Sequence, residues 1–120
     1  MAKYFVEKEF QRCTPACHLS DMDPAFLDTL DRVRELAGIP LVLNSAFRTK
    51  AWELQHGRTG TSSHCKGLAV DIRCGSDASR YRILSAALRL GVCRIGVGRT
   101  YIHLDTDGTK SQNVVWHYYD

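Results

Sequence analysis

The feature that most constrains this chain is an aspartate, Asp71, inside an otherwise apolar run. The run from Gly67 to Arg73 reads GLAVDIR, in which Val70 and Ile72 flank the carboxylate. It predicts a strand, because short apolar runs with β-branched residues are typical of strands packed in a core. A charge in such a strand costs free energy unless it is paired, hydrogen-bonded or bound to a cation. The fold must therefore supply Asp71 with hydrogen bonds, a structural ion pair or a metal ion.

Two histidines stand in segments that can approach Asp71. His64 ends a loop rich in glycine and serine, GRTGTSS over residues 57–63. The segment Tyr101–Asp105 reads YIHLD, and strand alternation places its two aliphatic residues toward the core and His103 on the opposite face. Either segment alone is also compatible with an ordinary solvated surface. Together, two imidazoles and one carboxylate suit Zn²⁺, whose catalytic sites use three protein ligands and leave the fourth position to water.

The remaining pattern predicts an α+β fold. The clearest helix runs from Pro24 to Ala37, with Asp23 as its N-cap and Gly38 as its stop. Helices followed by short strands favour a small antiparallel sheet with flanking helices, in one domain over residues 1–120. The other predicted elements are strands at Leu41–Leu43, Gly67–Arg73, Cys93–Val97, Tyr101–Asp105 and Val114–Tyr118, a short helix or turn at Lys50–His56, and a helix at Ala78–Leu90 with Tyr81, Leu84, Ala87 and Leu88 on its apolar side.

Composition and charge exclude several classes of function. The chain has 120 residues, of which 44% are hydrophobic and 24% charged, as in an ordinary soluble domain. The net charge of +3 comes from scattered Lys and Arg without interleaved aromatics, which excludes a typical nucleic-acid-binding protein. No segment has the length and apolarity of a signal peptide or a membrane span. We expect a monomer that is cytoplasmic as synthesised and has no nucleic-acid or membrane partner.

Five cysteines, an odd number in a chain without a signal sequence, favour reduced thiols over a disulfide framework. Cys13, Cys17 and the neighbouring His18 look like half of a metal-binding knuckle, but no second Cys/His pair has knuckle spacing. Buried or incidental thiols are the favoured interpretation. A disulfide or a second metal is the alternative.

A ten-residue segment carries a resemblance to a known family. Residues 62–71 read SSHCKGLAVD and match every fixed position of SxHxxGxAxD, the motif of the M15 family of zinc peptidases. SAFRT at 45–49 resembles the family's S-G-Y-R-S segment, YIHLD at 101–105 its closing F-I-H-V-D, and VWHY at 115–118 its final strand. The family comprises D-alanyl-D-alanine carboxypeptidases, dipeptidases and L-alanyl-D-glutamate endopeptidases, and it shares a fold with hedgehog signalling domains. The resemblance covers nearly the whole chain.

The resemblance implies roles for individual residues. His64, Asp71 and His103 would hold Zn²⁺, with an activated water as the fourth ligand. Arg48 would pair with a carboxylate of the substrate, which suits a planar guanidinium. The other residues expected to contact the substrate are Ser62, Tyr101 and Trp116.

The general base is where this chain departs from the family pattern. Many relatives place Glu, Asp or His two or three positions before the last ligand, where this chain has Tyr101 and Thr100. Asp105 is the first substitute, because alternation places it on the same face as His103. His117 is the second, since it lies on a C-terminal strand that could border the cleft. Asp105 could instead orient His103, and the sequence leaves both roles open.

These observations lead to three hypotheses for function. The first is a zinc metallopeptidase that hydrolyses peptide bonds in peptidoglycan stem peptides, as a carboxypeptidase or an endopeptidase. It would be a phage-type lysin that reaches the cell wall by a separate export or lysis route, or a cytoplasmic dipeptidase. The second is a non-catalytic zinc-binding module of the same fold that has lost its base. The third is a metal-free structural or virion component.

Overall fold

A computed structural model describes residues 3–119 of the chain. It is an α+β structure with a mixed five-stranded sheet. The elements in chain order are α1 (Glu7–Gln11), α2 (Pro24–Ala37), β1 (Leu43–Ser45), α3 (Lys50–Gln55), β2 (Ala69–Arg73), α4 (Asp77–Arg89), β3 (Arg94–Val97), β4 (Tyr101–Asp105) and β5 (Val114–His117), with 3₁₀ turns at Leu19–Asp21 and Ser63–Lys66. None of the helices in the described part of the chain is long and apolar enough to cross a membrane.

The structure confirms the first predicted helix, since α2 has the predicted bounds, Pro24–Ala37. The Asp23 carboxylate accepts a hydrogen bond from the Phe26 N–H at 3.0 Å, which satisfies one of the free donors of the first turn. Pro24 occupies the first turn, and Gly38 ends the helix with a φ of 70°. The apolar side of α2 is buried and packs against α4.

Helix α4 lies within one residue of its predicted bounds, but its predicted buried face is only partly right, since Ala87 is buried and Leu84 packs against the core. Ile83, Ala86 and Ala87 are buried, whereas Tyr81 is 74% and Leu88 57% exposed. The buried residues share one helical face, and their small alanines allow close approach to α2. The choice between two overlapping apolar stripes on α4 is therefore made by packing against α2, which the helix sequence alone does not contain.

The sheet has the strand order β1-β2-β4-β3-β5, and one of its pairings differs from the predicted antiparallel sheet. The pairs β1/β2, β2/β4 and β3/β4 are antiparallel, but β3 and β5 are parallel. Both edges of β4 are already occupied, by β2 and β3. The chain therefore turns back after β4 and adds β5 outside β3, so that β5 runs parallel to β3.

The two central strands, β2 and β4, divide the apolar core from the polar face. Val70, Ile72, Ile102 and Leu104 are fully buried in the core, which confirms the alternation predicted for YIHLD. On the opposite face, Asp71 of β2 is the direct cross-strand partner of His103 of β4. Cross-strand partners have their side chains close together, so sheet register alone brings these two residues into contact.

The 3₁₀ turn that carries His64 depends on Gly67. Gly67 has a φ of 69° and ends this turn, and its carbonyl oxygen accepts a hydrogen bond from the Asp23 N–H at 3.0 Å. A Cβ atom at this position would collide with the carbonyl oxygen of Asp21. The glycine of the motif is therefore required both by its backbone conformation and by the close approach of the segment before α2.

Replacing this glycine tests that requirement. Gly67→Ala should lower the free energy of unfolding by roughly 3 kcal/mol or more, since a backbone clash adds to the ~1–2 kcal/mol cost of a left-handed alanine. Gly57→Ala is the matched control, because Gly57 has a φ of 74° and open space around its Cβ position. Urea unfolding of both variants provides the measurement. Equal losses would show that the turn absorbs the added methyl group without strain.

Candidate metal centre

His64 is held with one ring nitrogen directed inward. The residue is 3% exposed, and its Nδ1 lies 2.7 Å from the carbonyl oxygen of Ala46. A carbonyl oxygen only accepts hydrogen bonds, so Nδ1 carries the proton. The other ring nitrogen, Nε2, lies 3.4 Å from Oδ1 of Asp71.

His103 directs its Nδ1 atom to the same oxygen as His64, Oδ1 of Asp71. Its Nδ1 lies 3.0 Å from Oδ1 of Asp71, and its Nε2 lies 2.7 Å from Oδ2 of Asp105. The carboxylate of Asp105 fixes the proton on Nε2. Nδ1 is therefore left with a lone pair that can bind a metal ion. Asp105 is itself only 1% exposed, and its Oδ1 accepts hydrogen bonds from Arg94 Nε at 2.6 Å and from the Asp107 N–H at 3.1 Å.

The donor set of His64, Asp71 and His103 fits a metal ion. The three ligand atoms all lie within 4.8 Å of one another. With the tautomers above, two imidazole lone pairs and one carboxylate oxygen face each other, which is repulsive unless positive charge lies among them. A divalent metal ion, or an added proton on each ring, supplies that charge. No other group of three such side chains occurs within residues 3–119.

The pKa values of the centre follow the same electrostatics. Burial raises the pKa of Asp71, but hydrogen bonds and charge from His103 and His64 outweigh burial and hold that pKa well below its ordinary value. Burial lowers the pKa of His103, whereas its hydrogen bonds to Asp105 and Asp71 raise it, and the net direction is upward. The centre is thus built to keep Asp71 ionised with positive charge beside it.

Arg48 holds the second oxygen of Asp71. Its Nη2 lies 3.2 Å from Oδ2 of Asp71, its Nη1 lies 3.3 Å from Oε2 of Glu53, and its Nε donates to Ser45 Oγ at 3.0 Å. Arg48 is 7% exposed. Glu53 is fully buried and also accepts a hydrogen bond from Ser62 Oγ at 2.7 Å, so this network ties the loop before His64 to the sheet.

A cavity of about 260 Å³ opens over the centre. It brings together most of the residues predicted for the site, including Arg48, Ser62, Tyr101, Trp116 and Asp105. Four cationic side chains line it, against the two carboxylates of Asp71 and Asp105. The cations are Arg48, Arg58, Arg94 and Lys110, and the aromatic wall consists of Tyr101, Trp116 and Tyr118.

His117 is not brought to the cavity. It is exposed on β5, and its ring stacks on Tyr119 with centroids 5.3 Å apart. Strand alternation gives the reason, because residues 116 and 118 face the centre and residue 117 therefore faces away. Trp52 of α3 also lies outside the core. It is partly exposed, because the buried position of α3 is occupied by Glu53.

Sequence reasoning missed several residues of the site, for different reasons. Alternation from Trp116 was enough to find Tyr118. Arg94 could have been suspected as a charge at the start of an apolar strand, but only the register of β3 against β4 pairs it with Asp105. Glu53 and the cations Arg58 and Lys110 carried no sequence signal, since charged residues in short helices and loops are usually solvated.

The comparison with known proteins agrees with this geometry. The family model described as Peptidase M15 matches residues 3–105. This range includes the segments 62–71 and 101–105 and therefore all three candidate ligands. Neither the curated proteins nor the solved structures contain a match. A family match over most of the chain, together with a His/Asp/His group of the kind found in metal centres, identifies the chain as a member of the M15 peptidase family.

Proposed function

We propose that this protein is a zinc-dependent metallopeptidase that hydrolyses peptide bonds in peptidoglycan stem peptides. The observation that carries the proposal is the convergence of His64 Nε2, His103 Nδ1 and Asp71 Oδ1 under an open cavity. Two imidazole nitrogens and one carboxylate oxygen are a ligand set typical of catalytic zinc, in contrast to the thiolates of many structural zinc sites. Zinc bound there would supply Lewis acidity that activates water and polarises the scissile carbonyl.

The protein's own groups prepare the centre for that chemistry. Arg48 engages one oxygen of Asp71 and leaves the other directed toward both imidazoles. Burial raises the pKa of Tyr118 to about 12 and also raises the pKa of Tyr101, so both phenols stay protonated near neutral pH. A protonated phenol beside the cavity is a hydrogen-bond donor for the oxygen that gains charge during hydrolysis.

We assign Asp105 an orienting role. Both of its oxygens are engaged, one by His103 and the other by Arg94 and a backbone N–H, and the side chain is almost fully buried. A general base needs hydrogen-bond access to the water whose proton it accepts. The arrangement therefore supports the alternative in which Asp105 fixes the tautomer of His103.

The residues that line the cavity also favour a second candidate function, a non-catalytic zinc-binding module. Among the described residues that line the cavity, the carboxylates and imidazoles are the three proposed ligands and Asp105. A module that retained its metal but lacked a base would present this composition. Turnover on peptidoglycan separates this candidate from the enzyme.

The substrate is proposed to be anionic. Arg48 and Arg94 are paired with carboxylates inside the cavity, whereas Arg58 is exposed. Lys110 makes only a long ion pair, 3.9 Å, with Asp107, whose carboxylate also binds Lys66 at 3.0 Å. These two cations remain to attract the free carboxylates of a stem peptide. A phage-type lysin that reaches the wall by a separate export or lysis route is consistent with this substrate.

Removing a ligand should remove the metal. His64→Ala and His103→Ala should each reduce bound zinc from about one per chain to near zero, because a catalytic site has only three protein ligands to lose. Inductively coupled plasma mass spectrometry of protein purified without chelator measures this. His117→Ala is the control and should retain both zinc and activity, since that side chain lies outside the cavity. Unchanged zinc in either ligand variant would refute the assignment.

Digestion of purified peptidoglycan tests the activity. Mass spectrometry of muropeptides after incubation with zinc-loaded protein should show new peptide termini and identify the bond as L-Ala–D-Glu, D-Ala–D-Ala or a cross-bridge. Zinc-loaded protein that binds muropeptides without releasing new termini would support the non-catalytic module instead.

Zinc affinity distinguishes the two possible roles of Asp105, which are orientation of His103 and general base. Asp105→Asn should weaken zinc binding by about 10- to 100-fold if Asp105 orients His103. A general base would instead leave zinc affinity unchanged and lower kcat alone. Competition with a zinc chelator measures the affinity, and Asp77→Asn, at a fully exposed carboxylate, is the control.

The charge of the substrate can be tested with paired peptides. Arg58→Gln or Lys110→Gln should raise KM for a stem peptide with free carboxylates by about two- to fivefold, since an exposed ion pair contributes ~0.2–1 kcal/mol. The corresponding carboxamide peptide should show little change, and added salt should reduce the difference. Arg89→Gln, on α4 and away from the cavity, is the matched control. Equal changes for both peptides would argue against a carboxylate contact.

A further inference from the structure

Cys13 and Cys17 form a buried pair outside the metal centre. The backbone N–H groups of both residues donate to one acceptor, the carbonyl oxygen of Phe10, at 3.2 and 3.1 Å. The chain between them is thus folded around a single oxygen atom, and each thiol is close enough to shift the pKa of the other. The two residues are 4% and 6% exposed. Their proximity is a feature of the fold that the peptidase centre does not use.

The neighbouring His18 does not complete a metal site with this pair. Its Nδ1 lies 2.6 Å from Oε2 of Glu7, and the histidine is exposed. Within residues 3–119, the only group of three potential metal ligands is the one at the metal centre. The knuckle interpretation of the sequence therefore lacks ligands, and the chemistry open to the pair is that of two thiols.

The two thiols differ in access and in protonation. Cys17 lines a second cavity, of about 320 Å³, whereas Cys13 does not, and the Cys13 Sγ lies 3.4 Å from the carbonyl oxygen of Glu9 and 3.8 Å from that of Leu43. The neighbouring Cys13 thiol lowers the pKa of Cys17 to about 7, whereas Cys17 and burial raise the pKa of Cys13. A thiol that borders a cavity and ionises more readily, with a more enclosed thiol beside it, is the arrangement of an attacking and a resolving cysteine.

We propose that Cys13 and Cys17 are an oxidisable dithiol site that takes a small disulfide, such as oxidised glutathione, through this second cavity. Cys17 attacks one sulfur of the reagent, forms a mixed disulfide and releases one thiol. Cys13 then attacks the Sγ atom of Cys17, releases the second thiol and closes an intramolecular disulfide. The protein gives up two electrons and two protons, and the reagent accepts them as it becomes two thiols.

The bond would stiffen a segment that supports the metal centre. The Thr14 N–H, between the two cysteines, donates to the carbonyl oxygen of Asn44 in β1 at 2.9 Å. Strand β1 leads directly to Ala46, whose carbonyl oxygen orients His64. Closing the loop restricts the unfolded chain, so oxidation should raise the midpoint of thermal unfolding by a few degrees.

Oxidation with glutathione disulfide tests the site. Free thiols counted in denaturant should fall from five to three. The intact mass should fall by two hydrogens, and a protease digest should contain a peptide in which Cys13 is joined to Cys17. Cys13→Ser lacks the resolving thiol and should retain one glutathionyl group on Cys17. Cys74→Ser is the control, since Cys74 is also buried and should leave formation of the disulfide unchanged.

Two outcomes would overturn the proposal. One is retention of five free thiols after treatment, and the other is modification confined to Cys65 or Cys93, the partly exposed cysteines. The peptide map of the unaltered protein decides between these outcomes even if the Cys13→Ser variant does not fold. None of these readouts depends on peptidase activity, so the result stands apart from the proposed function.

Discussion

The ionised carboxylate of Asp71 is the charge to which much of this structure responds. It lies in a central strand whose other face belongs to the apolar core, so water cannot solvate it fully. Two imidazoles contact one of its oxygens and Arg48 contacts the other. These partners come from a turn, a neighbouring strand and the segment after β1. Three separate segments of the chain thus meet at a single charge. Their meeting point is also where the group of candidate metal ligands forms.

Two buried arginines, Arg48 and Arg94, each hold a carboxylate of the centre in place. Arg48 links Asp71 to the fully buried Glu53, and Arg94 holds Asp105, which in turn orients His103. Removing one partner from such a buried network is costly, because it leaves the other charge without compensation. The network therefore limits how far the ligands can move apart. Ligands held in place in this way suit the binding of a metal ion.

Local patterns were sufficient for much of the fold and for the ligands. Capping and periodicity defined helix α2 between Asp23 and Gly38, and strand alternation placed His103 on the face away from Ile102 and Leu104. These features depend on a few neighbouring residues, so the sequence contains them directly. The motif around His64 and Asp71 likewise records a local requirement, since its glycine adopts the left-handed conformation that ends the turn carrying His64.

By itself, therefore, the sequence determined the main helix, the alternation of the central strands and the residue types suited to a metal centre. Only the tertiary structure decided which side of α4 is buried, that β5 lies parallel to β3, and that Arg94 and Glu53 support the ligands. It also decided that Asp105 lies behind His103 with both oxygens engaged, and that His117 faces away from the cavity. The physical reason is that these outcomes depend on contacts between residues far apart in the chain, which local propensity and spacing do not encode.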